Sequence, residues 1–130
     1  MASSINGSVK SYTAGANLDA YVLVKKSGSG VVAVDTPATD VPVGITVNMA
    51  LSGQPVAVRL LNAGGTALLK VGAAIAVNAA VYADAAGVGG TTNTNVLIGH
   101  AEEASTAPGD IIEVLLKAVG ATGPQGPQGP

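Results

Sequence analysis

The punctuation of this chain limits its fold more than anything else in the sequence. Eight short runs rich in valine, isoleucine and leucine, at 21–24, 30–34, 43–47, 56–61, 67–71, 80–83, 96–100 and 111–116, are each bounded by Gly, Pro, Asn, Asp or Ser. β-Branched side chains crowd the preceding turn of a helix but pack well on a pleated surface. The breakers (Gly28-Ser29-Gly30, Ser52-Gly53, Gly64-Gly65, 87–90 and Pro108-Gly109-Asp110) return every ~8 to 12 residues, the rhythm of a small antiparallel sandwich or barrel. Only 71–86 pulls the other way. Its alanines favour helix, but Gly72, Ile75, Val77 and Val81 oppose it, so it reads as loop plus strand.

Composition says what such a fold has for a core. Hydrophobic residues make up 48% of the 130, yet there is no Phe, no Trp and only three Tyr. A core of Val, Leu, Ile and Ala buries modest area per residue, and at roughly 25 cal/mol per Å² it is thin for a lone subunit. Charged residues are just 11% and the net charge is −2, which implies that partners cover part of the surface. No block of Lys or Arg marks a nucleic-acid footprint, so no nucleic-acid partner is expected. No stretch approaches the ~18 apolar residues of a membrane helix, and no membrane partner is expected. There is no cysteine, hence no disulfide or thiolate metal site. The opening MASSINGSVKSYTAG has no basic segment followed by an apolar run, so it does not read as a secretory signal.

The two halves of the chain repeat one another. VGITVNMALSGQPVAVRLL around Gly44 matches IGHAEEASTAPGDIIEVLL around Gly99. Setting Gly44 on Gly99 and Gly53 on Gly109 requires one extra residue, Pro108, and brings Val58-Arg59-Leu60 onto Val114-Leu115-Leu116. Upstream, 18–22 is set against 77–81. Each half then reads as a strand, a Gly-centred strand, a small-residue connection, a tight turn and a strand. Two such halves are expected to pair around one core. The competing account is that text rich in Ala, Val and Gly aligns with anything.

This pattern, a strand, Val-Gly-Ile or Ile-Gly-His, small and acidic residues, a Gly-Gln or Gly-Asp turn, then Val-x-Val-x-Leu, resembles the small phage capsid cement (head decoration) proteins. The stretch GAAIAVNAAVYAD, 72–84, is similar to that family's middle segment. The resemblance spans about 14–117. It implies an all-β domain that trimerises on the outside of a phage head, binds the major capsid protein and locks neighbouring capsomers together. It also implies a virion protein made in the host cytoplasm.

Chemistry that an enzyme needs is hard to assemble from these residues, and the chain is read as no enzyme. A nucleophile requires a base beside it; the single histidine, His100, stands at a strand position aligned with Ile45 and reads as a half-buried or interface residue. Glu102-Glu103 and Asp84 have no spacing that forces an acid–base pair, so a solvated acidic loop is the better account. His100 with Glu102 matches no metal-ligand spacing; no metal or cofactor is expected. Gly87-Val88-Gly89-Gly90 lacks phosphate-loop spacing and reads as a surface loop with Thr91 to Asn95. Asn6-Gly7-Ser8 matches a glycosylation sequon by chance. Lys25-Lys26 reads as a solvated pair in a turn. Arg59, alone among valines and leucines, suits a subunit salt bridge or an exposed strand face.

The chain closes on GATGPQGPQGP. Glycine at every third position, Gly120, Gly123, Gly126 and Gly129, with Pro124, Pro127 and Pro130 behind three of them, meets the steric rule of the collagen triple helix. Single-chain polyproline II or disorder is the competing account. Three or four triplets are too few to hold three chains unaided, but an existing trimer would set the tails side by side at high effective concentration. The ending in mid-triplet leads us to expect a longer fibre beyond Pro130. The expected organisation is an N-terminal arm at 1–14, a capsid-binding and trimerisation domain at 15–118 and a collagen-like tail at 119–130. Interface candidates are Ser3, Ser4, Ile5, Tyr12, Arg59 and His100. A second function class is a trimeric adhesive head of a collagen-like bacterial surface or spore-coat protein. It ranks lower, because few exposed aromatics are available to stack on sugars.

Overall fold

The β-branched runs form strands, and the chain is all-β with two antiparallel sheets. The computed structural model describes residues 9–116. Ten strands occur there: β1 (Val9–Thr13), β2 (Leu23–Ser27), β3 (Gly30–Ala33), β4 (Gly44–Thr46), β5 (Pro55–Leu60), β6 (Thr66–Lys70), β7 (Ala80–Ala83), β8 (Gly89–Gly90), β9 (Leu97–Ala101) and β10 (Ile111–Leu116). The only helical pieces among these residues are two three-residue 3-10 turns, Leu61–Ala63 and Ala85–Gly87. The sheets run β1-β5-β4-β2-β3 and β6-β10-β9-β7-β8. The second order is the first with every label raised by five, so the repeat read in the sequence is a repeat of topology. In each sheet the two edges approach at one parallel bridge, Ala14 with Val31 and Val71 with Gly89. Each half is thus a sheet curled almost to closure.

The register confirms the central match and moves the upstream one. Val24 lies opposite Gly44, and Gly44 opposite Leu60; Val81 lies opposite Gly99, and Gly99 opposite Leu116. Gly44 therefore corresponds to Gly99, as the sequence indicates. Upstream, Leu18 bridges Ala50 while Ile75 bridges Ser105, and Tyr21 and Asn78 share a left-handed backbone at φ 64° and 70°. Leu18 thus corresponds to Ile75 and not to Val77. Text rich in Ala and Val carries no anchor there, and the left-handed residue that fixes the register is Tyr in one half and Asn in the other.

Two strands lie where none was expected. Val9–Thr13, inside the expected arm, pairs along β5 from Val9↔Arg59 to Thr13↔Pro55; Lys10, Ser11 and Thr13 are the polar residues an edge strand tolerates. Gly89–Gly90, expected as surface loop, pairs with β7. Gly89 is required there, because a Cβ would press on the side chains of Leu69, Val81 and Val71. Residues 71–86 form loop plus strand, as expected.

Packing also divides the core. Instead of one core there are two clusters. One lies within the first half, from Ala14, Leu18, Val22, Val24, Val31, Ala50, Val56 and Val58. The larger is built on Leu69, Val71, Ile75, Val81, Ile112 and Val114 of the second half, and Leu23, Val34, Ile45 and Leu61 reach into it from the first. Strand alternation explains this sharing: Val24 points into its own half and its neighbour Leu23 points out of it. Buried hydroxyls are satisfied locally. Thr46 donates to Asp19 O and accepts from Val22 N–H, and Ser105 donates to Ala73 O and accepts from Ile75 N–H.

The 34–43 connection is clamped by charge. Lys25 Nζ lies 2.6 Å from Asp35 and 2.9 Å from Asp40, and Asp40 also accepts from Thr36 N–H at 2.8 Å. The Lys25 ammonium, then the Thr36 amide, hold the Asp40 carboxyl down to about 2, below its ordinary 3.8.

Two outcomes follow from this packing. A Cβ at Gly99 would overlap the carbonyl oxygen of Leu115, so Gly99→Ala should cost about 1–3 kcal/mol of unfolding free energy. That loss should appear as a lower urea midpoint at unchanged slope; an unchanged midpoint would mean that β10 yields freely. For Asp40, a depressed carboxyl contributes stability that is present above its unfolded value of 3.8 and is lost as pH falls through about 2. Its carboxyl carbon should titrate near 2 by NMR and climb toward 3.8 in Lys25→Met. A native titration already at the ordinary value argues against the clamp.

Candidate functional site

His100 sits on β9 opposite Leu115 of β10 and Ala80 of β7, and its side chain is exposed; of the two expected settings, half-buried or at an interface, the first is not what the chain shows. The difference arises because Ile45, its counterpart, lies against the second half, while nothing in the described chain covers the second half at that place. The nearby acids have structural employment. Glu103 accepts from Glu113 N–H at 2.8 Å, as Asn48 accepts from Ala57 N–H at 2.9 Å in the first half. Asp84 accepts from Ala85 N–H at 2.8 Å and starts a 3-10 turn. Among the described residues no three His, Cys, Asp or Glu side chains gather as a metal-holding group.

Arg59 is half-buried at the junction of the halves. Its guanidinium donates to Leu60 O, Gly64 O and Thr66 O, so it fastens the 61–65 connection between β5 and β6. Tyr12, on β1, is half-buried, with Lys10 Nζ 5.2 Å and Lys26 Nζ 5.3 Å from its ring centroid, within cation–π range. Lys25 and Lys26 thus do not act as a free pair: one joins the aspartates and the other lies over Tyr12. Ser3, Ser4 and Ile5, and the tail positions Gly120, Gly123, Pro124, Gly126, Pro127, Gly129 and Pro130, lie outside the described residues.

The surface that sequence reasoning missed is the outward face of the second sheet. Leu68 on β6 and Ile111 and Leu115 on β10 are 43–45% exposed, with Glu113 between the last two and His100 beside Leu115. Its signal lies in Ile111-Ile112-Glu113-Val114-Leu115-Leu116. A half-buried strand would alternate apolar with polar, and this one is apolar on both faces except at Glu113. The row Ala80–His100–Leu115–Thr66 across the second sheet occupies the register of Leu23–Ile45–Arg59–Val9 across the first. Leu23 and Ile45 are 0% and 1% exposed because the second half packs on them.

Comparison with known proteins agrees with this architecture. No curated protein matches the chain. Among solved structures, the N base of the head fiber protein gp8.5 of bacteriophage phi29 is similar, with a TM-score of 0.69 and 17% sequence identity over 85% of this chain and 93% of that one. At that identity the likeness speaks for the fold. The family described as phage cement protein matches residues 8–117. That span takes in every strand from β1 to β10 and both copies of the repeat, so the chain belongs to the phage cement protein family.

Proposed function

We propose that the protein is a structural component of a phage virion, a cement protein that binds the outer surface of the head as a homotrimer and stabilises contacts between neighbouring capsomers. The match of the whole β domain to the cement family carries this reading. Its partner is the major capsid protein, and its mechanism is burial of surface, without catalysis. Many copies repeated over a head make modest affinity at each site sufficient. The N-terminal arm, reduced to the residues before Val9 now that β1 belongs to the sheet, lies along the capsid or a neighbouring subunit through Ser3, Ser4 and Ile5. Such arms order on binding. No helix in the described residues is long and apolar enough to cross a membrane.

The tail at 119–130 projects outward as the base of a head fibre. Two observations support this. The phi29 protein with a similar fold is itself named as a head fiber N base, and the Gly-x-x spacing suits three chains meeting at one axis. A trimeric domain supplies the registration that a short collagen-like run lacks.

Purified protein should co-sediment with expanded heads and raise the temperature at which they rupture; heads that neither retain it nor gain heat resistance would sink the cement reading. The tail is tested separately by circular dichroism. A collagen-type signal with a cooperative melt should vanish in Gly126→Ala, whereas an unaltered spectrum would leave the tail as single-chain polyproline II or disorder.

A further inference from the structure

The two halves contact one another through unlike surfaces. The first half presents the outward side of β2 and β4, where Leu23 and Ile45 leave their own sheet and join the second half's cluster. The second half receives them on the side of β6 and the Ala85–Gly87 turn: Lys70 N–H donates to Tyr21 O at 2.8 Å and Gly87 N–H to Val34 O at 3.0 Å. Related units joined by unlike surfaces are joined head to tail, and such a contact leaves one surface of each kind unused. The unused donor-type surface is the outward side of β7 and β9, where Ala80 and His100 stand in the register of Leu23 and Ile45, and the exposed apolar residues of β6 and β10 adjoin it on the same face. The unused receiving surface is the β1–β3 side of the first half, where Tyr12 stands in the register of the buried Leu69.

We infer that the outward face of the second sheet, built on Leu68, Ile111, Glu113, Leu115 and His100, docks a second copy of this chain, which presents the Tyr12 side of its first half. Charge fits that pairing. Glu113 is the acid set among the apolar residues of one surface, and Lys10 and Lys26 flank Tyr12 on the other. Among the described residues none of the three forms an ion pair within the chain, whose pairs join Lys25 to Asp35 and Asp40, and Lys70 to Asp19. Leu115 takes the place of Arg59 and so has no guanidinium tied to local carbonyls. A head-to-tail contact between copies joins the same two kinds of surface as the contact within each copy, displaced toward β6 and β10, and it closes into a ring when the rotation allows. The inference rests on the trimer in the proposed function and specifies which surfaces make it.

The test uses the full chain, which has no native cysteine. A single cysteine placed by Leu115→Cys is alkylated in the free assembly and compared with Val41→Cys, at a position 79% exposed. The Leu115→Cys thiol should react about tenfold more slowly or less, and should match the reference once Leu68→Glu is added. Glu113→Lys should weaken association in sedimentation, and Lys10→Glu with Lys26→Glu in the same chain should restore it. Equal alkylation rates in an intact trimer overturn the inference and leave the cement reading standing. Protection that arises only when heads are added assigns the face to the capsid protein and overturns it too. A monomeric unsubstituted chain removes the trimer itself.

Discussion

In each half a glycine lies directly beneath a neighbouring carbonyl, Gly44 under Arg59 and Gly99 under Leu115. These are the middle strands of their sheets, and a side chain there would push β5 or β10 away. With the gap closed, a five-stranded sheet curls far enough for its edge strands to meet, at Ala14 with Val31 and at Val71 with Gly89. The interior left by so tight a curl is narrow, and it is filled by Val, Leu, Ile and Ala. The lack of Phe and Trp belongs with that geometry, since native packing density in a small space favours small branched side chains.

A curled unit of this size buries little by itself, so the chain joins two. The joint is made by residues that point out of one half, Leu23 and Ile45, and it creates the larger of the two clusters. Arg59 stands at the edge of the joint and ties down the connection that leads from β5 to β6 through Gly64 O and Thr66 O. Pairing of halves thus adds burial at one face only. The other outward face of the sheets keeps the same pleat and the same register without a neighbour in the chain.

Much of this was legible because the relevant signals are local. Breakers such as Ser52-Gly53 and Pro108-Gly109-Asp110 form tight turns with φ of 88° and 91° at the glycines, and β-branched runs fill the strands between them. Gly44 and Gly99 align because sterics leave no alternative residue. The misses have equally physical origins. β1 carries Val9 and Tyr12 among polar residues, a pattern that edge pairing tolerates but hydrophobic periodicity does not flag. β8 is two glycines, whose strand character comes only from what surrounds them. The exposure of His100 depended on knowing which half covers which, and no local pattern encodes that. Arg59 was legible as unusual, yet its partners are backbone carbonyls, which carry no sequence signature.

Equivalent positions that hold different residues report what lies against them. Leu23 and Ile45 are apolar because the second half covers them, and the corresponding Ala80 and His100 are smaller or polar. Farther across the same face the trend reverses: Ser11 and Arg59 in the first half correspond to Leu68 and Leu115 in the second. A face meant only for water has no use for two half-exposed leucines and an isoleucine, each with apolar area that favours burial at roughly 25 cal/mol per Å². The apolar content of the second sheet has therefore shifted toward its β6–β10 edge, away from where the internal joint would place it. That displacement puts the exposed apolar area where the proposed contact with a second copy would bury it.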